Sequence, residues 1–209
     1  MSEHPRNTID TVDKKPTPAA APKPEHPFLE IVRFALIAII IVVPIRMFVA
    51  QPFIVSGASM DETFSNGQYL IVDQLTYQFE SPQRGEVVIF RYPGDPSKFF
   101  IKRVVGVPGD TISIEGDIVT IRNEEHPMGT RLQEPYITSM SGNDTITEKL
   151  NAEEYFVMGD NRDYSSDSRS WGILTEDRII GRALVRLFPL SALGTFPGSY
   201  DGEALLVDN

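Results

Sequence analysis

The stretch FFIKRVVGVPGD, Phe99–Asp110, decides the fold, because it is a run of β-branched and aromatic residues that ends in a Pro-Gly-Asp turn. The stretch EVVIFRY, Glu86–Tyr92, has the same character and is followed by a second Pro-Gly-Asp turn at Pro93–Asp95. Both patterns predict β-strands rather than helices.

Further strands are predicted downstream. TISIEGDIVTI, Thr111–Ile121, predicts a hairpin around a glycine-containing three-residue turn. EYFVMGD and RIIGRALVRLF predict two more strands, the second with alternation of period two. No convincing amphipathic helix and no internal repeat accompany them. The expected fold class is therefore mainly β, an antiparallel β-domain.

Two charged residues interrupt the first of these strands. Side chains alternate along a strand, so Lys102 and Arg103 must point to opposite faces. Lys102 shares its face with Phe100 and Val104. Arg103 shares the other face with Ile101. At least one of the two charges must enter or border a core.

The chain before the β-rich part has two zones. Residues 1–27 mix Pro, Ala and charge without periodicity, which predicts a disordered tail. Residues 28–50 have an uninterrupted apolar centre that can cross ~30 Å of hydrocarbon if Arg33 and Arg46 reach toward the head groups. A buried core helix or a cleaved signal peptide would be alternatives. However, the segment is apolar on all faces and AQPFIVSG is a poor cleavage site, so we expect a retained transmembrane anchor.

Basic residues are concentrated before this span, and after Arg46 none appears until Arg84. By the positive-inside tendency the N-terminus is cytoplasmic, and residues 51–209 form an extracytoplasmic domain on a single-pass protein of the plasma membrane. Within that domain, residues 123–151 are expected to form a cap or an insertion.

Composition excludes several classes of function. The formal net charge is -10, which argues against a nucleic-acid partner because such binding depends on Lys and Arg patches. The chain has no cysteine, so thiolate nucleophiles and thiolate metal sites are absent. His4, His26 and His126 have no partner at metal-ligand spacing, so no metal is expected.

Ser59 and Lys102 are the candidate reactive residues. A serine hydroxyl needs a base to become a nucleophile, and no histidine is suitably placed. A lysine buried in apolar surroundings can act as that base, because burial lowers its pKa. Spacing alone does not establish this pairing, since lysines in strands often lie at a solvent-facing edge and serines in Gly/Ala loops are often turn residues.

Four motifs, in order, resemble the type I signal peptidase family of bacteria. PFIVSGASM after the apolar span resembles the nucleophile box, and RGEVVIFRYP resembles the strand box that follows it. FIKRVVGVPGD is similar to the general-base box, and GDNRDYSSDSRSWG is close to the last box. An EF-hand is the alternative for the last motif, but Ser165 and Trp171 stand where the calcium loop needs Gly and Glu.

The resemblance implies a membrane-anchored Ser/Lys protease with the β-fold of this family and of the related self-cleaving repressors. Ser59 would be the nucleophile, followed by Met60, and Lys102 the base, with Arg103 beside it. The last box would support the site: a serine hydroxyl would orient the lysine, and an aspartate–arginine pair would lie beneath it. These roles fall on Ser165, Asp167 and Arg169. Such a dyad needs no metal or other cofactor.

The sequence departs from the family pattern in two places. Asp61-Glu62-Thr63-Phe64 replaces the usual x-Pro-Thr-Leu, and Glu62 would tend to raise the lysine pKa. Gly57 stands where some members have an oxyanion-binding serine, so the oxyanion hole would rely on backbone N–H, chiefly that of Ser59.

The resemblance also implies the substrate and the partners. Preprotein signal peptides would bind as an added β-strand, at the lipid bilayer and near the export machinery, and would be cut after small-x-small sites such as Ala-x-Ala. Five residues are expected to line shallow pockets for the small side chains: Phe53, Val55, Phe64, Phe100 and Ile101.

Two other functions remain open at this stage. One is a self-cleaving peptidase of the same fold, which the membrane span and the PF junction disfavour. The other is a catalytically inactive, membrane-tethered domain that binds peptides. Glu62, which replaces the usual proline close to the nucleophile, is the feature that favours this alternative.

Overall fold

The computed structural model describes residues 27–137 and 142–207, so the predicted disordered tail lies almost wholly outside the described residues. The first element is helix α1, Pro27–Pro44, followed by a turn of π-helix, Ile45–Val49. No residue of α1 is buried, and its mean hydropathy of 2.3 over 18 residues is that of a membrane-spanning helix. The helix ends within the predicted anchor segment, 28–50.

The rest of the described chain is mainly antiparallel β, which confirms the predicted fold class. One short helix, α2, covers Ser168–Trp171. The strands are Ala50–Ile54 (β1), Tyr69–Asp73 (β2), Val87–Arg91 (β3), Phe99–Gly106 (β4), Thr111–Glu115 (β5), Ile118–Arg122 (β6), Thr130–Leu132 (β7), Thr145–Lys149 (β8), Glu154–Met158 (β9), Leu174–Thr175 (β10), Ile179–Phe188 (β11), Gly194–Thr195 (β12) and Leu206–Val207 (β13).

The larger sheet has the order β1-β2-β11-β3-β4-β9-β10, with β12 paired to β11. Strand β1 is an edge strand, which suits Pro52 because proline cannot donate a ladder hydrogen bond. Strand β11 lies between β2 and β3 and joins the two hairpin-like halves of the sheet.

The smaller sheet has the order β13-β7-β6-β5-β8. The described part of segment 123–151 supplies β7 and β8 to this sheet, so it is built into the second sheet rather than set apart as a cap. The predicted hairpin is present as β5 and β6, but its turn has two residues instead of three, because Glu115 pairs directly with Ile118. Gly116 takes the positive φ of 59° that such a tight turn requires.

Strand β4 contributes to all three apolar clusters of the β-domain. Ile101 packs with Val55 and Met60 inside the larger sheet. Phe100 belongs to a second cluster built on β3, β4 and β9. Val105 packs against the smaller sheet. Because the strand is packed on both faces, Lys102 and Arg103 are both withdrawn from water, with exposures of 3% and 0%.

Candidate active site

Ser59 lies in the loop that follows β1, which we call the nucleophile loop (residues 57–64). The loop begins at Gly57, whose φ of +101° is favourable only for glycine. Met60 and Phe64 pin the loop to the core, with exposures of 1% and 0%, and Phe64 N–H donates to the Met60 carbonyl at 2.7 Å. Ser59 therefore lies on a turn that the buried side chains of Met60 and Phe64 anchor to the core.

Lys102 reaches this serine directly. Its Nζ lies 2.6 Å from Ser59 Oγ and also donates to the carbonyl of Ile101 at 3.0 Å. The ring of Phe100 lies beneath, with its centroid 5.3 Å from Nζ. A buried amine within hydrogen-bond reach of a hydroxyl can exchange a proton with it.

The surroundings of Lys102 shift its ionisation toward the neutral amine. Burial lowers the pKa of Lys102 to about 8, and the charges of Asp167 and then Asp160 act in the opposite direction. Glu62, which the sequence suggested as a charge near the base, is exposed on the nucleophile loop. The carboxylates that act on Lys102 are thus those of Asp167 and Asp160.

Asp167 forms the expected pair with Arg169. Its Oδ1 accepts from Arg169 Nε at 2.9 Å, and its Oδ2 accepts from Arg169 Nη2 at 2.9 Å and from the Gly159 N–H at 3.0 Å. Burial would raise the pKa of this carboxyl group, but the hydrogen bonds and charge of Arg169 outweigh burial and hold the pKa below its usual range. Asp167 also caps helix α2 by accepting from the Arg169 N–H.

Ser165 does not make the expected hydrogen bond to Lys102. Its hydroxyl is buried beside Gly159, where a Cβ would clash with both Ser165 Oγ and the Ser59 carbonyl. Glycine at 159 therefore lets the last box approach the nucleophile loop closely. The carbonyl of Ile101, rather than the Ser165 hydroxyl, is the second acceptor for Lys102 Nζ.

Arg103 is paired on the opposite side of β4. Its Nε and Nη2 donate to the two oxygens of Asp160 at 2.8 and 2.6 Å, and both residues are buried. The guanidinium is covered by the rings of Tyr136 and Tyr200, with centroids at 3.9 and 5.1 Å. Such a bidentate, stacked pair needs arginine rather than lysine.

Three residues that sequence reasoning did not single out hold the nucleophile loop. Asn161 donates its backbone N–H to the Ser59 carbonyl at 3.1 Å and its side-chain Nδ2 to the Ala58 carbonyl at 3.0 Å. Thr63 Oγ1 donates to Asp160 Oδ2 at 2.6 Å. Asp160 and Asn161 belong to the last motif, GDNRDYSSDSRSWG, so the sequence marked them as part of the site. Their spacing in the sequence does not show that they contact the loop around Ser59.

An open groove of about 450 Å³ passes Ser59 and Lys102. One wall is the chain from Phe53 to Ser59 and the other is the stretch Lys98–Lys102, with the rings of Phe53 and Phe99 in edge contact at 5.4 Å. Ile89 and, from the last box, Tyr164 and Ser166 complete the lining. Sequence reasoning did not anticipate these three residues.

The structure brings four of the five predicted pocket residues to this groove: Phe53, Val55, Phe100 and Ile101. Phe64 is the exception, because it is fully buried in the core and lies under the guanidinium of Arg186. Its position is below the groove rather than on its wall.

One group of potential metal ligands occurs in the described residues. Ligand atoms of Glu125, His126 and Glu203 lie within 4.8 Å of one another. Glu125 and His126 are neighbours, but Glu203 is distant in the sequence, so spacing could not show the group. None of them lines the groove at Ser59.

The chain matches one known protein family over most of its length. The profile of a family described as signal peptidase, peptidase S26, matches residues 28–188. The chain belongs to this family. As a member it is a membrane-anchored serine peptidase that removes signal peptides from preproteins.

Relatives match the peptidase over most of its length. A signal peptidase I from Leptolyngbya laminosa is 35% identical over 95% of this chain and 99% of the relative. A probable signal peptidase I-2 from Synechocystis is 32% identical over 94% and 87%, and signal peptidase I T from Bacillus subtilis is 33% identical over 85% and 94%. A crystal structure of a signal peptidase I from Enterococcus faecalis matches 49% of this chain and 97% of that chain, with 28% identity and a TM-score of 0.42.

Proposed function

We propose that the peptidase cuts through a Ser59/Lys102 dyad. The observation that carries the proposal is the 2.6 Å contact between Lys102 Nζ and Ser59 Oγ, made by a lysine that is only 3% exposed. Burial lowers the pKa of this lysine to about 8, so about a tenth of the amine is neutral at pH 7 and can act as a base.

The reaction would run through an acyl-enzyme. Neutral Lys102 takes the proton of Ser59 Oγ as the oxygen attacks the carbonyl carbon of the scissile bond. The resulting ammonium returns that proton to the leaving amine as the C–N bond breaks. A water molecule then gives a proton to Lys102 and attacks the ester, and the proton passes back to Ser59 Oγ as the ester bond breaks.

The oxyanion would be held mainly by the backbone N–H of Ser59. Gly57 has no side chain, and its N–H already donates to Asn66 Oδ1 at 3.1 Å. Gly57 therefore contributes the open backbone conformation that exposes the following residues rather than a hydrogen-bond donor of its own.

The signal peptide would bind as an extended strand between β1 and the start of β4. Strand β1 pairs with β2 alone, and β4 pairs with β9 only from Arg103 onward, so the two facing edges have backbone groups available on the groove side. Phe53, Val55 and Ile101 would fill most of the space for side chains that point down, which favours small residues at the first and third positions before the cut.

The anchor would place this groove at the membrane surface. In the proposed topology α1 spans the bilayer once, with the N-terminus in the cytoplasm and residues 51–209 outside, near the export machinery. The excess of basic residues before the span supports this orientation.

The decisive experiment is cleavage of a preprotein by the detergent-solubilised full chain, with the new N-terminus read by mass spectrometry. Wild type should cut after a small-x-small site, and Ser59→Ala and Lys102→Ala should be inactive while folded. Lys98→Ala is the matched control, because Lys98 is an exposed lysine on the rim of the same groove. Cleavage by Lys102→Ala would rule out the dyad, and an inactive wild type would favour a peptide-binding role.

A further inference from the structure

The groove at Ser59 has two different ends. The rings of Phe53 and Phe99 form one end. The other end is set by β9, which pairs with β4 from Arg103 onward and so occupies the edge of β4 immediately past Lys102. The chain that leaves β9 is the last box, so this motif borders the groove at the end where the two reactive groups lie.

The sheet topology sets the direction in which a substrate would run. Strands β1 and β4 point the same way, because the antiparallel pairings β1–β2, β2–β11, β11–β3 and β3–β4 separate them. The residues before the cut are proposed to lie along Phe53 and Val55, and the scissile carbonyl must reach Ser59 Oγ. A substrate would therefore run parallel to both strands, and the residues after the cut would meet the last box.

Tyr164 of the last box lines the groove and is 77% exposed. The backbone that carries it is ordered, since the Tyr164 N–H closes a 3-10 turn on the Asn161 carbonyl at 3.2 Å. Buried Arg162 donates through Nε to the Gly159 carbonyl at 3.0 Å, and the Arg162 carbonyl accepts from Arg169 Nη2 at 2.6 Å. An exposed ring on a fixed turn is therefore available to a bound peptide.

We propose that Tyr164 binds the side chain of the first residue after the cut and favours an aromatic residue at that position. Side chains alternate along an extended peptide, so this residue points away from the pockets that take the first and third residues before the cut. It points instead toward the rim of the groove, where the ring of Tyr164 is exposed.

An aromatic side chain fits this position better than a cationic one. Two rings gain free energy from burial and from an offset or edge-to-face contact. A cation would be repelled by the ammonium group that Lys102 carries after it has taken the serine proton. The proposal rests on the proposed function, because it requires that the peptide is cut at Ser59.

The test uses the detergent-solubilised full chain and peptide substrates that share an Ala-x-Ala sequence before the cut. The substrates carry alanine or phenylalanine either directly after the cut or at the x position two residues before it. In wild type, phenylalanine directly after the cut should raise kcat/KM about fivefold over alanine, which is the effect of one aromatic contact. Tyr164→Ala should abolish this ratio, and Tyr164→Phe should keep it.

Phe79→Ala is the matched control, because Phe79 is 81% exposed but does not line this groove, and the variant should keep the wild-type ratio. The ratio separates substrate contact from a structural role, since a distorted site would slow the cleavage of both substrates alike.

The same ratio in wild type and Tyr164→Ala would overturn the proposal. An effect of Tyr164→Ala confined to the position two residues before the cut would also overturn it. A wild type that cleaves none of the substrates would refute the proposed function itself, whereas cleavage with a ratio that does not depend on Tyr164 would refute only the role of Tyr164.

Discussion

The hydroxyl of Thr63 and the carboxylate of Asp160 lie 2.6 Å apart, and this contact ties the nucleophile loop to the buried Arg103–Asp160 pair. The Thr63 carbonyl also accepts from Arg186 Nη2 at 2.7 Å. Thr63 therefore connects the loop that carries Ser59 with the far side of the strand that carries Lys102. The position of Thr63 should therefore affect the alignment of Ser59 Oγ with Lys102 Nζ.

Replacing Thr63 by valine should lower kcat about tenfold with little change in KM. The variant keeps the shape of the side chain but removes a hydrogen bond to a charged group, which is typically worth 1.5–3 kcal/mol, roughly half of which we expect in the rate. Thr63→Ser should restore most of the activity. Thr175→Val is the control, because Thr175 also donates to an aspartate, Asp177, but at an exposed site. Equal activities for wild type and Thr63→Val would show that the link has no role in alignment.

Replacing Asn161 by alanine should reduce kcat about fivefold. The variant loses the side-chain hydrogen bond to the Ala58 carbonyl, worth about 1 kcal/mol, but keeps the backbone bond to Ser59. Steady-state cleavage of a signal-peptide substrate measures this loss of kcat. Asn151→Ala serves as the control, since the side-chain amide of exposed Asn151 donates to Glu154, away from the nucleophile loop. A loss of the same size in the control would mean that the effect is not specific to the loop.

The pH dependence of kcat/KM should follow the ionisation of Lys102. Only the neutral amine can accept the serine proton, so the rate should rise about tenfold per pH unit at acid pH and level off above a pKa of about 8. An acid limb near pH 4 to 5 would instead assign the base to a carboxylate. The peptidase should be checked for reversible recovery after each exposure.

Lys102→Met should be inactive but more stable than wild type at neutral pH. The folded pKa of about 8 lies below the ordinary 10.5, so the unfolded chain binds more protons in this interval. Burial of this lysine therefore lowers the free energy of unfolding by ~3 kcal/mol below pH 8, and this destabilisation disappears as the pH rises toward 10.5. Thermal unfolding at pH 7 and pH 10.5 should therefore show a gain in midpoint only at the lower pH. A gain at both values would point to packing rather than charge.

Phe53→Ala should widen the substrate range. Phe53 and Phe99 form the aromatic end of the groove, and removing one ring opens space for larger side chains. The ratio of cleavage rates for substrates with leucine and with alanine three positions before the cut should rise. Phe188→Ala, which truncates an exposed ring outside the groove, should leave the ratio unchanged. An unchanged ratio in Phe53→Ala would show that the Phe53 ring does not limit the size of the substrate side chain.

Local patterns predicted the parts of the fold that carry long β-branched or aromatic runs. Strands β3, β4, β9 and β11 fall within the predicted segments. Strands β1 and β2 were not predicted. Strand β1 contains Pro52, which weakens a strand pattern. Strands β7 and β8 lie in the segment expected to form a cap or an insertion, because their short polar runs gave no clear strand pattern.

The proposed reactive pair was predictable only with the resemblance to a family, because nothing local links position 59 to position 102. The alternation along β4 did predict that a charge would be buried, and the structure buries both. The contacts of Asp160, Asn161 and Thr63 join segments about a hundred residues apart, and such contacts leave no periodic signal. The contact expected for Ser165 is replaced by one to a backbone carbonyl, which no sequence pattern can show.

The central place of β11 has a consequence for a chain that is still being made. Ser59 follows β1 and belongs to the half of the sheet built on β1 and β2, whereas Lys102 belongs to the half built on β3, β4 and β9. Among the described strands, β11 alone hydrogen-bonds to both halves, and it begins only at Ile179. A nascent copy thus lacks the strand that hydrogen-bonds the two halves together until nearly all of it has been synthesised. If the proposed dyad is the catalytic pair, proteolytic competence would therefore arrive late in synthesis.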